Sequence, residues 1–123
     1  MRVLIADDQK GVGDALAALV KECGHEVVGV VTSGFDAIQA YNRQRPDVVL
    51  MDYNMLRLNG ATACRNILAR NPAARIILVT GACTAEDLAG SGAVAVLAKP
   101  VNLSDLSGLL NAQSAPAEGV PVG

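Results

Sequence analysis

The feature that most constrains the fold of this 123-residue chain is an alternation: five short apolar runs, separated by stretches with helical spacing. The runs lie at residues 3–6, 27–31, 48–51, 75–80 and 93–97. The fourth carries Ile76-Ile77-Leu78-Val79, the continuous apolar pattern of a strand buried on both faces. Between the first two runs, Val12, Leu16, Leu19, Val20 and Cys23 form a single apolar stripe stopped by Gly24. Ser33 is placed to cap a second helix with Phe35, Ile38 and Tyr41 on its inner face, and Pro46 lies beyond its end. A third helix runs from Asn59 or Gly60 to Arg70, with Ile67 and Leu68 inward and Asn71-Pro72 closing it. Thr84 and Asp87 resemble a capping box for a short fourth helix. Asn102 opens a fifth through Leu103, Leu106, Leu109 and Leu110. Strands alternating with helices imply right-handed βαβ units, hence an α/β fold whose parallel sheet is covered on both faces.

Length and composition limit what such a fold can do. The chain suits one domain, and 51% of it is apolar, enough for one core. Residues 1–113 read as that domain; residues 114–123, rich in Pro, Gly and Ala, read as a flexible tail or the start of a linker. Only Phe35, Tyr41 and Tyr53 are aromatic, and net charge is −2 without a basic run. This argues against nucleic acid as a direct partner. Cys23, Cys64 and Cys83 share no metal or disulfide spacing and fit a reducing compartment. No stretch has the length of a membrane span, and residues 1–6 do not read as a signal peptide, so a soluble cytoplasmic protein is expected.

The polar residues that end the apolar runs carry the chemistry. Asp7 and Asp8 follow the first strand, Asp52 the third, Thr80 ends the fourth and Lys99 follows the fifth. All stand at carboxyl ends of strands, the edge where open parallel sheets bind ligands. Three carboxylates in one crevice repel each other, and a hard divalent cation removes the conflict. Mg2+ held by Asp8 and Asp52, with Asp7 direct or through water and a backbone carbonyl just past Asp52, would serve. Asp52 could then act as a carboxylate nucleophile toward a phosphoryl group, with Lys99 and the Thr80 hydroxyl on its oxygens.

These pieces, in this order, resemble the signature of response regulator receiver domains: Asp7-Asp8, the stretch from Val48 through Asp52 to Met55, Asn59-Gly60, Thr80-Gly81 and Lys99-Pro100. The resemblance runs from residue 2 to about residue 112. It implies a flavodoxin-like, three-layer fold with strand order 2-1-3-4-5. It also implies Asp52 as phosphoacceptor, Asp7, Asp8 and the Asn54 carbonyl as Mg2+ ligands, Thr80 as switch hydroxyl, Lys99 as phosphate contact and a cis bond before Pro100. The implied partners are a sensor histidine kinase or histidine phosphotransfer protein, and a downstream protein at the face of the fourth helix, fifth strand and fifth helix. The resemblance also allows a monomer or a weak dimer through that face.

The sequence departs from the family pattern at four places. Val96 stands where an aromatic usually couples to the Thr, and Leu56 where a Pro usually follows the phosphoacceptor. The interval from Thr80 to Lys99 is about three residues short, with Ala89-Gly90-Ser91-Gly92 poor in helix formers. Gln9 occupies a position often acidic or aromatic. These departures touch the output face rather than the phosphoacceptor.

Two other functions fit parts of the pattern. One is an interaction module on the same fold that works without phosphorylation. The other is a Mg2+-dependent phosphohydrolase with an aspartyl intermediate, against which Asp7-Asp8-Gln9 lacks the Asp-x-Asp arrangement of such enzymes. Gly11-Val12-Gly13 opens a partial dinucleotide fingerprint, but Leu16 stands where Gly or Ala belongs and Asp7-Asp8 would repel a pyrophosphate. Cys83 reads as a small packing residue and His25 as a surface histidine between the first helix and second strand.

Overall fold

A computed structural model describes residues 1–55, 57–81 and 89–114. Leu56, Cys83, the Thr84/Asp87 capping pair and residues 115–123 lie outside the described residues, as does most of the expected fourth helix.

The chain runs β1 (Arg2–Ala6), α1 (Lys10–Glu22), β2 (Glu26–Val31), α2 (Gly34–Gln44), β3 (Val48–Asp52), α3 (Gly60–Arg70), β4 (Ile76–Thr80), β5 (Ala95–Ala98) and a last helix, α4 (Leu103–Ser114). The five strands form one parallel sheet in the order β2-β1-β3-β4-β5, the order the resemblance implied.

Strand periodicity sorts the core into two layers. Leu4, Ala6, Val49, Met51, Ile76 and Leu78 point to the side of α2 and α3. Val3, Ile5, Val48, Leu50, Ile77, Val79 and Leu97 point to the side of α1 and α4. Every residue of β3 and β4 is buried, so these strands need apolar residues at both parities. Each buried Val, Leu or Ile contributes roughly 1.5–3 kcal/mol of transfer free energy.

The expected caps are present. The Ser33 hydroxyl accepts the Asp36 N–H at 3.0 Å, the Asn59 side chain the Thr62 N–H at 2.9 Å, and the Asn102 side chain the Asp105 N–H at 2.8 Å. Three side-chain assignments need correction. Phe35 is 55% exposed, not inward; Ala37, Ala40 and Tyr41 form the buried face of α2. The spacing of Phe35, Ile38 and Tyr41 drifts about 60° around the helix at each step, so only one end of that row can face the sheet. Leu103, in the first turn of α4, is likewise exposed, whereas Leu106 and Leu110 are buried. His25 is half-buried rather than on the surface, with Nδ1 3.1 Å from the amine of Met1. Burial holds its imidazole below the usual histidine range, assisted by that amine.

Candidate phosphorylation site

The carboxyl ends of β1, β3, β4 and the residue after β5 converge because the strands are parallel and adjacent. Asp7 is fully buried immediately after β1, where its N–H donates to the Val31 carbonyl at 3.0 Å. Its carboxylate is spoken for on both oxygens: the Gln9 N–H donates to Oδ1 at 2.9 Å, and Lys99 Nζ to Oδ2 at 3.3 Å. Asp52, the last residue of β3, is 4% exposed and accepts from the same Lys99 Nζ at 3.1 Å. Lys99 thus bridges two buried carboxylates that lie 45 positions apart in sequence. One carboxylate oxygen from each of Asp7, Asp8 and Asp52 can be chosen so that all lie within 4.8 Å of one another, a grouping able to hold a metal ion. Asp8 is half-buried and opens the group to the rim.

The electrostatics follow from this crowding. Burial raises the Asp52 carboxyl above the usual carboxylate range, and the charge of Asp7 adds to it; the Lys99 hydrogen bond and the Asn54 backbone amide work in the opposite direction without cancelling it. Burial pulls Lys99 down, but the hydrogen bond and charge of Asp52, then Asp7, outweigh it and leave the ammonium held above its ordinary value. The crevice therefore carries more negative charge than one ammonium balances.

Thr80 ends β4 and is 7% exposed; its Oγ1 is buried with no hydrogen-bond partner among the described residues. An unpaired buried hydroxyl costs free energy, and at this edge it is placed to donate to an acceptor brought into the crevice. The Lys99 N–H donates to the Thr80 carbonyl at 2.9 Å, tying the two residues together, and the Lys99-Pro100 bond is cis as expected. Asn54 is exposed just past Asp52. Val96, at the position where the family usually has an aromatic, is 44% exposed.

Sequence reasoning missed the backbone around these side chains. The Gln9 amide that holds Asp7 has no signal, because any residue there offers an N–H. Asn59-Gly60 belongs to the signature, and the structure supplies its reason. A Cβ at Gly60 would lie 2.2 Å from the Asp52 carbonyl oxygen and 2.9 Å from Tyr53 Cα, while the Gly60 N–H donates to the Tyr53 carbonyl at 2.8 Å. The start of α3 is therefore pressed against the peptide that follows the candidate phosphoacceptor. Arg57, in the same loop, holds a left-handed backbone at φ 70°.

Comparisons with known proteins agree with this geometry. The sequence profile of the family described as response regulator receiver domain matches residues 3–111. The chain is 36% identical over 109 residues to the transcriptional regulatory protein PdtaR of Mycobacterium tuberculosis, covering 85% of this chain and 52% of that protein. It is 38% identical over 77 residues to the chemotaxis protein CheY of Thermotoga maritima, covering 63% of this chain and 64% of that one. The chain thus spans about half the length of the first of these relatives. Among solved structures, a receiver domain protein from Clostridium thermocellum superposes with a TM-score of 0.84 at 26% identity, covering 91% of this chain and 92% of that one. The receiver domain of a sensor histidine kinase from Pseudomonas aeruginosa PAO1, solved with a magnesium ion coordinated in its active-site cleft, gives 0.82 at 27% identity, covering 91% and 95%. On its fold, its family profile and these neighbours, the chain belongs to the CheY-like response regulator receiver domains of two-component systems, which are phosphoacceptor modules.

Proposed function

We propose that Asp52 is the phosphoacceptor of this receiver and that phosphohistidine on a sensor kinase or phosphotransfer protein is the donor. The observation that carries this reading is the Lys99 bridge between buried Asp52 and Asp7, at the same sheet edge as the Thr80 hydroxyl, which has no partner among the described residues. An Asp52 carboxylate oxygen attacks phosphorus, the bond from phosphorus to the donor ring nitrogen breaks with its electron pair staying on nitrogen, and the ring, protonated on its other nitrogen, leaves as neutral imidazole. The product is an acyl phosphate on Asp52. Lys99 can then turn its ammonium to a phosphoryl oxygen, and Thr80 Oγ1 can donate to another, which satisfies its buried hydroxyl.

The acidic cluster fits Mg2+. Asp8, Asp52 and the Asn54 carbonyl would be its ligands, and Asp7, whose oxygens are already engaged, would act through water. Bound there, the ion supplies the positive charge that lets two negatively charged groups meet. An apolar hollow of about 570 Å³ between α1 and the segment after β5, with Val12, Leu16 and Pro100 among its lining, adjoins Lys99 and offers a protein donor a continuous surface.

The downstream partner would read the edge formed by β5 and α4. Without an aromatic at Val96, the report of phosphorylation depends on Thr80 and the segment after it. Exposure of Val96 also favours a second reading, an interaction module that works without phosphate.

Incubation with Mg2+ and acetyl phosphate, followed by intact mass, separates the two. A labile gain of one phosphoryl group, absent in Asp52→Asn, supports the switch. No gain in the wild type would leave the interaction module.

A further inference from the structure

The loop joining β3 to α3 carries Asn54 and is gripped from two sides at positions that lack a side chain. One is Gly60, at the start of α3 beneath the Asp52 peptide. The other is Gly34, the first residue of α2, which belongs to no part of the phosphoacceptor signature considered above. A Cβ at Gly34 would lie 2.9 Å from the Leu58 carbonyl oxygen, 3.0 Å from Leu58 Cδ2 and 3.2 Å from Leu58 Cβ. The first of these is backbone and cannot rotate away. Gly34 is buried, and α2 is fixed in place below it by the Ser33 cap and by Ala37, Ala40 and Tyr41 in the core. The loop, and not the helix, must therefore give.

The loop has little freedom to give without moving the site. Its far end is pinned by the Gly60 N–H on the Tyr53 carbonyl and by the Asn59 cap. Arg57, beside Leu58, already occupies a left-handed conformation that is costly for a residue other than glycine. Leu58 and Asn54 belong to the same short loop, held between Gly34 on one side and the Gly60 N–H on the Tyr53 carbonyl on the other.

We propose that Gly34 is a positioning residue for the phosphorylation loop: by letting Leu58 seat against the start of α2, it sets where the Asn54 carbonyl stands for the divalent cation. This inference rests on the reading of Asp52, Asn54 and Mg2+ given above. Gly34 touches neither the phosphoryl group nor the ion. It acts as outer-shell supports of metal sites act, by fixing a ligand's orientation.

The test compares wild type, Gly34→Ala and Leu58→Ala, with Gly108→Ala as a control at a helical position with nothing within 4 Å of the added Cβ. Backbone amide NMR shifts of residues 53–59 are followed through a Mg2+ titration of each protein without donor. The rate of acetyl phosphate labelling is then measured against Mg2+ concentration. Gly34→Ala is expected to bind Mg2+ about tenfold more weakly, with the labelling rate at saturating Mg2+ changed less than about twofold. A merely structural role would lower folded protein without splitting these two quantities. If Gly34→Ala does not fold, Leu58→Ala carries the test, because it loosens the same contact from the other side and is expected to weaken Mg2+ in the same direction. Wild-type Mg2+ affinity in whichever of the two variants folds overturns the proposal. A wild type that binds Mg2+ and is labelled while the variants match it leaves the phosphoacceptor reading intact and removes only Gly34. A wild type that neither binds Mg2+ nor is labelled overturns both.

Discussion

The same substitution should have opposite effects at two glycines, because the space around them differs. At Gly60 an added methyl would meet the Asp52 carbonyl oxygen at 2.2 Å and two further backbone atoms at 2.9 Å. That is about 1 Å inside normal contact, against atoms that have no rotamers to change. Overpacking typically costs about 1–3 kcal/mol, and the rigid neighbours place this case at the upper end. Alanine's greater helix propensity returns at most about 1 kcal/mol, leaving a net loss of roughly 2 kcal/mol. At Gly108, in the interior of α4 and exposed, the methyl meets nothing within 4 Å. There Gly→Ala should stabilise by about 0.5–1 kcal/mol. For a domain of this size those values correspond to a fall of about 8 °C and a rise of about 2–4 °C in Tm. Urea denaturation and thermal melting, each followed by far-UV circular dichroism, give both numbers. Gly60→Ala within 0.5 kcal/mol of wild type would refute the claim that α3 closes rigidly on the Asp52 peptide.

Three more outcomes follow from the site and its supports. Burial, then the charge of Asp7, raises the Asp52 carboxyl in the folded protein, so the stability it contributes is full below the ordinary carboxylate pKa and is lost as pH rises through the elevated value. Asp52→Asn removes that loss: with a chelator present, its stability relative to wild type should grow as pH rises above the ordinary carboxylate range, and a pH-independent difference in urea titrations would contradict this. Thr80→Ala removes a hydroxyl with no partner among the described residues, so it should leave stability unchanged or raise it by up to about 1 kcal/mol while lowering the labelled fraction with acetyl phosphate. Asn59→Ala loses the bond to the Thr62 N–H and should cost about 1 kcal/mol, measured in urea, with Asn102→Ala at α4 behaving alike.

The sheet was legible in the sequence because burial on both faces forces long apolar runs at β3 and β4, and polar residues then mark each carboxyl end. Asp7, Asp8, Asp52, Thr80 and Lys99 could be placed at one edge for that reason alone. The helices were less legible where small residues do the packing. Ala37 and Ala40 carry little hydrophobic signal beside Phe35, yet the close approach of α2 to the sheet needs their size, and Phe35 is turned outward. Backbone contacts were the least legible: Gly60 belongs to the signature, but the Gln9 amide on Asp7 and the seats of Gly34 and Gly60 depend on distances that composition and spacing do not encode.

The central claim is that the phosphoryl group sits on Asp52, and chemical trapping tests it most directly. Protein labelled with acetyl phosphate and Mg2+ is treated with borohydride, which reduces an aspartyl phosphate to homoserine, and the product is digested and sequenced by mass spectrometry. Homoserine at position 52 and at no other aspartate is the predicted result. Homoserine at Asp7 or Asp8, or a phosphoryl group that survives reduction on another residue, would contradict it.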